Sequence, residues 1–381
     1  MDIVPYGRQE IDDADVEAVV SVLRGAWLTT GPVVSQFESA FAEFSGASHA
    51  VAVSNGTAAL HLAMLAENIG PGDEVIVPAL TFAATANCVR YVGATVVFAD
   101  VDAATLTVDV AHVASLITSR TRAIVGVDYA GLPADLTALR ALADKHGLYF
   151  VEDGCHAPGA MCDGRAVGTV ADATTFSFHP VKHVTTAEGG MITVSDADRA
   201  ARLKTLRNHG ITTDVRTREE AGVWAYDMVA LGFNYRLSDL QCALGLSQLR
   251  KLPGWLEHRR ALAGRYAEAF SGDARLQLQV VPPGRTHSWH LYAVRVNTEQ
   301  PAVAREAMYT ALRAAGVRAN VHYRPVYQHS YYRALGYTDG LCPVAERAYD
   351  GLLSLPLWHG LDDDTQDRVI DLVRHELARH G

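Results

Sequence analysis

Residues 176–190 read FSFHPVKHVTTAEGG, and this stretch decides the fold of the chain. Upstream of it, the hydrophobic run over residues 148–152 predicts a strand that ends at Asp153. The stretch itself holds Ser177 and Lys182 in a Ser-x-x-x-x-Lys turn after a second apolar run. The carboxylate and the amine therefore both follow strands, and α/β sheets bind their ligands at the carboxyl ends of strands.

Pyridoxal phosphate is the cofactor that these groups suit. The amine of Lys182 can form a Schiff base with the cofactor aldehyde, and the carboxylate of Asp153 can keep the pyridine nitrogen protonated, which makes the ring an electron sink. An electropositive, partly desolvated site would lower the pKa of Lys182 and make its amine nucleophilic. The freed amine could then act as general base and move a proton between the substrate carbon and cofactor C4′.

A second segment supplies a cradle for the cofactor phosphate. Ser54-Asn55-Gly56-Thr57 closes a predicted strand over 49–53 and opens a predicted helix over 58–68. Backbone N–H groups at a helix N-terminus bind phosphate, and a glycine there allows close approach. We therefore predict that Gly56 and Thr57 contact the phosphate and that Ser177 adds a hydroxyl.

These segments together resemble the sugar aminotransferases of the DegT/DnrJ/StrS family, which have the fold of aspartate aminotransferase (fold type I). The resemblance covers nearly the whole chain, from Tyr6 to Pro356. It implies a homodimer with the active site at the interface, glutamate as the amino donor and a nucleotide-linked keto-sugar as the acceptor. It also assigns residues to the cofactor and the substrate. The catalytic pair is Lys182 and Asp153. The cofactor contacts are Gly56, Thr57, Phe82, Asp153, His156, Ser177, Lys182 and Asn234, and the substrate contacts are Tyr6, His183, Tyr235, His322 and Tyr323.

Several of these residues also have a structural interpretation. By the resemblance, Phe82 stacks on the cofactor ring, His156 lies on or near that ring, and Asn234 reaches the phosphate from the neighbouring subunit. Alternatively, Phe82 is a core side chain, His156 a packed turn residue, and Asn234 a loop residue that satisfies its own backbone. The proposed substrate contacts could equally be structural.

Within the family, the chain most resembles the transaminases that make UDP-4-amino-4,6-dideoxy-N-acetyl-β-L-altrosamine. The segments that carry this likeness lie at residues 6–9, 127–131, 185–190 and 321–327. The chain departs from that subgroup at residues 54–57 and at Pro158, so 3-amino, 4-amino and aminocyclitol products all stay open. One alternative is a dehydratase of the same fold. Dehydratases of that branch have a histidine in place of the lysine, so the presence of Lys182 argues against this function. Another alternative is a cofactor-binding regulator, and regulators of this fold typically add a DNA-binding domain.

The apolar patterns predict a large, doubly wound, mostly parallel α/β domain over residues 1–252 and a smaller α+β domain over residues 253–381. The large-domain strands are predicted at 50–53, 74–78, 95–99, 123–127, 148–152, 174–178 and 191–194, and its helices at 9–24, 58–68, 83–92, 110–119 and 136–146. Ser238 and Gln241 form a capping-box pattern that begins a helix, and Pro253-Gly254 marks the boundary. Small-domain helices are predicted at 257–270, 301–315 and 364–379, with strands at 276–281 and 289–296.

Composition excludes several other classes of protein. The 381 residues are 49% hydrophobic and carry a net charge of −10 without a basic stripe, so we expect no nucleic-acid partner. The N-terminal sequence has no signal-peptide pattern and no run has transmembrane length, so we expect a cytoplasmic protein with no membrane partner. Its five cysteines form no Cys-x-x-Cys pair, which indicates buried free thiols, and the spacing of Cys155, His156 and Cys162 fits no closed zinc site.

Overall fold

Seven short segments pair into a central sheet in the computed structural model, which describes residues 3–297 and 305–380. Their order across the sheet is β2-β10-β9-β6-β5-β3-β4. All neighbours are parallel except β10, which runs antiparallel to β2 and β9. The described strands are β1 (Val4–Pro5), β2 (His49–Val53), β3 (Glu74–Pro78), β4 (Thr95–Ala99), β5 (Thr121–Val127), β6 (Tyr149–Asp153), β7 (Met161–Cys162), β8 (Arg165–Ala166), β9 (Ala173–Ser177), β10 (Gly190–Val194), β11 (Leu276–Leu278), β12 (Tyr292–Val296), β13 (Val317–Arg318) and β14 (Leu352–Leu355).

Helices cover both faces of this sheet. Many begin at an Asp, Asn or Ser whose side chain accepts a hydrogen bond from the first turn, as Asn55, Asp135 and Ser238 do. The described helices are α1 (Asp13–Leu23), α2 (Pro32–Ser45), α3 (Gly56–Ala66), α4 (Ala83–Tyr91), α5 (Val110–Ser115), α6 (Leu136–His146), α7 (Ala197–Arg207), α8 (Val215–Ala221), α9 (Asp239–Phe270), α10 (Arg305–Ala314), α11 (Ser330–Ala334), α12 (Pro343–Gly351) and α13 (Asp363–His380).

The core confirms the doubly wound arrangement. Val75 and Val77 of β3 belong to one buried cluster with α3 and α4, whereas Ile76 between them belongs to a second cluster with α2 and α6. Alternate side chains of a strand point to opposite faces of a sheet. Both faces of the sheet are therefore buried, which explains why the strands read as continuous apolar runs.

The smaller lobe has its own core. The antiparallel sheet β11-β12-β14 packs with α10, α13 and the second half of α9. Strand β1 pairs in parallel with β13, so the N-terminal segment is attached to this lobe. The predicted helix over 301–315 is confirmed from Arg305 to Ala314, and residues 301–304 lie outside the described part of the chain.

One helix crosses the predicted domain boundary. The capping box of Ser238 and Gln241 is confirmed, but the helix that it begins continues to Phe270 with Pro253 inside it. A proline removes one backbone donor, and here the apolar contacts on both sides outweigh that loss. Leu252 packs into the large-lobe core and Leu262 into the small-lobe core. The division at residues 252 and 253 stays a prediction, and the two lobes share α9.

The first helix also differs from its prediction. It begins at Asp13 rather than at residue 9, because Asp12 provides the N-cap and forms a capping box with Asp15. Two apolar side chains of this helix, Val16 and Leu23, are 51% and 56% exposed. The buried residue of α1 is Asp15, which pairs with Lys251 at 2.8 Å and accepts from Gln248 at 2.7 Å. Val16 and Leu23 are thus not covered within one chain.

Within the described residues, no helix combines the length and the apolar character that crossing a membrane requires. The cytoplasmic location stays a prediction.

Phe41 provides a test of the large-lobe core. Its ring lies 4.9 Å from that of Phe176 and 5.5 Å from that of Phe178, and the side chain is buried. We expect Phe41→Ala to lower the free energy of unfolding by about 3–5 kcal/mol, because a buried aromatic is replaced by a cavity. Denaturant titration followed by tryptophan fluorescence measures this, with the exposed Leu335→Ala as control. Equal effects of the two substitutions would contradict this account.

Candidate functional site

A cavity of about 860 Å³ lies at the carboxyl edge of the central sheet and extends to the smaller lobe. It brings together side chains from residues 6 to 323 of the chain. Of the thirteen predicted site residues, eleven line it: Tyr6, Gly56, Thr57, Phe82, Asp153, His156, Ser177, Lys182, Tyr235, His322 and Tyr323. The predicted site is therefore one physical cavity, with two exceptions described below.

Lys182 enters the cavity from the turn that follows β9. The backbone N–H of Lys182 donates to the carbonyl of His179 at 2.8 Å, which closes this turn. Burial lowers the pKa of Lys182, whereas the nearby Cys155 and Asp153 act in the opposite direction. We expected a partly desolvated, electropositive site to lower this pKa. The desolvation is confirmed and favours the uncharged, nucleophilic amine, whereas the neighbouring charges act the other way.

Asp153 is the last residue of β6 and is buried. Its Oδ2 accepts a hydrogen bond from the hydroxyl of Thr85 at 2.7 Å, and Thr85 in turn bonds Thr81 at 2.8 Å. The backbone N–H of Cys155 reaches Oδ1 at 3.3 Å. These bonds fix the carboxylate at the cavity wall. Sequence reasoning missed Thr81 and Thr85, although their spacing of four residues at a helix start is a usable signal.

The loop between β2 and α3 meets the end of β9 across a glycine. A Cβ placed on Gly56 would lie 3.0 Å from Cβ of Ser177 and 3.4 Å from Sγ of Cys155. Asn55 caps α3 by accepting from the N–H of Ala58 at 2.8 Å. The close approach places the hydroxyl-bearing Ser177 beside the N-terminus of α3, where backbone N–H groups can receive an anion.

His156 belongs to a group of neighbouring rings at the cavity wall. Its ring centroid lies 4.3 Å from that of His290, and its Nε2 lies 3.2 Å from the hydroxyl of Tyr323. Burial lowers the pKa of His156 and of His290 well below the ordinary value. Both rings are therefore neutral at physiological pH. His290 was not predicted, because it precedes a small-lobe strand far from the sequence motifs.

His322 is held in a defined tautomer. The side-chain amide of Asn320 donates to Nε2 at 3.2 Å, so the proton of the neutral ring is on Nδ1 and is donated to Oγ of Ser354 at 2.9 Å. Burial, with a smaller contribution from Lys182, lowers the pKa of His322 to about 4. Asn320 also lines the cavity and was missed, although it lies only two residues before a predicted contact.

Aromatic side chains form much of the remaining wall. The rings of Tyr6 and His322 lie 5.0 Å apart, and those of Phe82 and Tyr323 lie 5.8 Å apart. Phe82 is 57% exposed at the rim and is not a core residue. Tyr235 stacks on Phe233 at 4.9 Å.

Two predicted residues lie outside this cavity. His183 is buried and does not line the cavity, and its Nε2 donates to the carbonyl of Ser288 at 2.9 Å. Its substrate contact stays a prediction. Its side chain points away because it is the neighbour of Lys182 in the turn. Asn234 is exposed and pairs through its backbone with Asn208. Its predicted contact from a neighbouring subunit stays a prediction.

The arrangement fits pyridoxal phosphate. The Lys182 amine suits the aldehyde, the Asp153 carboxylate suits the ring nitrogen, and the helix N-terminus beside Ser177 suits the phosphate. The buried Nδ1 of His156 has no hydrogen-bond partner among the described residues, so a bound group can supply one.

Comparison with known proteins agrees with this fit. The model of the DegT/DnrJ/EryC1/StrS aminotransferase family matches residues 9–374. The spore coat polysaccharide biosynthesis protein SpsC of Bacillus subtilis is 41% identical over 374 residues, which are 97% of this chain and 96% of that protein. The putative sugar aminotransferase Spr1654 of Streptococcus pneumoniae, in its PMP-form, superposes with a TM-score of 0.94 at 31% identity, covering 99% of this chain and all of that one. PseC of Helicobacter pylori, an aminotransferase involved in the biosynthesis of pseudoaminic acid, gives 0.92 at 31% identity with the same coverage.

The protonation of His322 can be measured directly. In ¹H–¹³C spectra of histidine-labelled protein, assigned with His322→Gln, we expect this ring to titrate at about 4. The folded pKa lies below the unfolded value of about 6.5, so the neutral ring contributes stability above that value, and the contribution is lost as pH falls through about 4. Asn320→Ala removes the donor to Nε2 and should raise the pKa. Titration of the parent ring near its ordinary value would contradict a buried, neutral His322.

Proposed function

This chain belongs to the DegT/DnrJ/EryC1/StrS aminotransferase family, and on that premise we propose that it transfers an amino group from glutamate to a nucleotide-linked keto-sugar. Its cofactor is pyridoxal 5′-phosphate. The acceptor that we propose is a UDP-4-keto-6-deoxy sugar. The observation that carries the proposal is the convergence of Lys182, Asp153 and the N-terminus of α3 in one cavity.

Each of these groups has a separate task at the cofactor. The bound cofactor supplies an electron sink for the negative charge that develops on the substrate carbon. Asp153, fixed by Thr85, would pair with the ring nitrogen and keep a proton on it. Gly56, Thr57 and Ser177 would hold the phosphate, and His156 and Phe82 would confine the ring. Lys182 would hold the cofactor at rest and then move a proton at the substrate carbon as acid and base.

The walls of the cavity favour a sugar as acceptor. Tyr6, Tyr235 and Tyr323 offer aromatic faces together with hydroxyl groups, and His322 with Asn320 offers neutral hydrogen-bonding groups. Sugar rings have apolar faces that pack on aromatic rings and hydroxyls that pair with neutral donors and acceptors. Lys182 is the one lysine, and no arginine occurs, among the described residues lining the cavity. We therefore propose that neutral donors such as Asn320 and Tyr6 receive the carboxylate of glutamate.

The choice of a 4-keto sugar has narrower support. It follows the resemblance to altrosamine-forming transaminases and the structural likeness to PseC, whose role is in pseudoaminic acid biosynthesis. The likeness to SpsC supports a role in polysaccharide synthesis more broadly. Keto groups at another carbon, and cyclitols, remain alternative acceptors. The presence of Lys182 in the cavity opposes the dehydratase alternative.

The Lys182→Ala variant tests this function. Holoenzyme mixed with excess glutamate should lose the long-wavelength absorbance of its lysine-bound cofactor, and the variant should lack that absorbance from the start. We expect the rate of amino transfer to fall by about 10²–10⁴-fold, because the proton-transferring group is gone. The exposed Lys145→Ala is the matched control and should behave as the parent.

The acceptor is then identified by single-turnover assays with UDP- and dTDP-linked 4-keto and 3-keto sugars. Amination of a 4-keto sugar supports the narrower proposal, and amination of another acceptor replaces it. A parent enzyme inert to every amino donor would overturn the aminotransferase proposal itself.

We further propose that the protein works as a homodimer with Asn234 reaching the partner subunit's cofactor phosphate. Large apolar side chains are exposed in the segment that leads to Asn234, with Trp224 at 89% and Leu231 at 83%. Val16 and Leu23 of α1 are also exposed, and large exposed apolar side chains are typical of interfaces between chains. A second copy of the chain is the proposed cover.

Hybrid dimers test the contribution in trans. Lys182→Ala and Asn234→Asp should each inactivate their own homodimers, the second by placing a negative charge against the phosphate. Co-expression should restore about a quarter of the parent activity, because half of the dimers are hybrids and each hybrid has one intact site. Lys182→Ala co-expressed with Asp153→Asn is the control and should restore nothing, since both residues belong to the same chain's site. Inactive Asn234 hybrids would place Asn234 in its own subunit.

A further inference from the structure

A pair of buried carboxyl groups lies behind the active site. In the register of β5 and β6, Val127 pairs with Asp153 and Gly126 pairs with Glu152. Val127 and Asp153 line the cavity, so Glu152 lies on the opposite face of the sheet, and Asp128 follows on that same face. Asp128 and Glu152 are both fully buried.

We propose that Asp128 and Glu152 share one proton. We further propose that this proton fixes the turn that follows Asp128, and that this turn positions the small-lobe wall of the active site.

The hydrogen-bond donors around the pair are too few for two carboxylates. Oε2 of Glu152 accepts from the hydroxyl of Thr174 at 2.6 Å and from the N–H of Gly168 at 3.2 Å. Oδ1 of Asp128 accepts from the N–H of Ala134 at 3.0 Å. Oδ2 of Asp128 and Oε1 of Glu152 are buried and have no donor among the described residues. Beyond the effect of burial, each carboxyl group influences the pKa of the other, as neighbouring side chains do. Two carboxylate oxygens can bond only through a proton.

The proton resides on Asp128. Glu152 has two donors that stabilise its negative charge, whereas Asp128 has one, so ionisation is easier at Glu152. Burial raises the pKa of Asp128 well above its ordinary value, and the charges of Glu152 and Asp153 raise it further. A protonated Asp128 donates to Glu152 and removes the repulsion between two buried charges.

The turn after Asp128 connects the sheet to the small-lobe side of the cavity. The N–H of Asp128 donates to the carbonyl of Asp153 at 3.1 Å, and the hydroxyl of Tyr129 donates to the carbonyl of His322. The carbonyl of Gly131 accepts from the N–H of Ser288 at 2.9 Å, two residues before His290. Gly131 has φ +108°, and a Cβ there would lie 3.0 Å from the backbone N of His290. Asp128 is therefore a positioning residue, acting through this turn on His290 and His322.

Infrared spectroscopy of the holoenzyme tests for the proton. We expect a protonated-carboxyl stretch at neutral pH that shifts in D₂O and is absent from Asp128→Asn, whose amide can still donate to Glu152. The exposed Asp198→Asn should leave the band unchanged. A parent spectrum without this band at neutral pH, or a band that persists in Asp128→Asn, would overturn the proposal.

Kinetics then test the positioning role. Asp128→Asn should keep kcat/KM for the acceptor within about threefold, whereas Asp128→Ala should lower it by roughly tenfold or more, because small misplacements of binding groups are costly.

The parent should also lose stability as pH rises above the unfolded pKa of Asp128, because its folded state retains the proton. The unfolding midpoint of Asp128→Asn should therefore rise relative to the parent with increasing pH. If the unfolding midpoints of the parent and of Asp128→Asn changed in parallel with pH, or if Asp128→Asn were inactive, the proposed role of the Asp128 proton would be contradicted. None of these outcomes depends on which sugar is the acceptor.

Discussion

The site depends on the register of the central sheet, which brings the ends of separate strands to a single edge. Parallel pairing of β5, β6 and β9 places Asp153 and Ser177 at that edge, although they are joined by long crossovers. The antiparallel β10 then begins beside the start of α3, where a Cβ on Gly190 would lie 2.6 Å from the carbonyl oxygen of Asn55. The absence of side chains at Gly56 and Gly190 lets three loops meet closely enough to hold one small cofactor.

The electrostatics of this site rest on burial more than on charge pairing. His156, His290 and His322 are all held neutral by desolvation, so they act as hydrogen-bonding and packing groups. The amine of Lys182 is likewise destabilised in its charged form by burial, against the effect of Asp153. The carboxylate of Asp153 accepts two hydrogen bonds, from the hydroxyl of Thr85 and the N–H of Cys155. These donors hold it where a protonated ring nitrogen would need a partner.

The sequence predicted the parts of the molecule that local patterns control. The seven strands of the large sheet were predicted within two residues, because fully buried strands are unbroken apolar runs between turn residues. Lys182 and Asp153 could be singled out because they lie next to such strands, and both line the cavity. His290 and Asn320 were missed because only the packing of the small lobe brings them to the cavity. His183 does not line it, because a motif gives the neighbourhood of a residue but not the direction of its side chain.

Helix α9 has a mechanical consequence for access to the cavity. Domains joined by flexible linkers can move apart, but here both lobes include part of one 32-residue helix, α9. Arg259 of α9 is buried and donates to the carbonyls of Trp289 and Leu357 at 3.0 and 3.1 Å, so the small lobe is fixed to the second half of this helix. A movement of the small lobe away from the sheet would therefore have to bend this helix, most easily at Pro253, where one backbone hydrogen bond is missing.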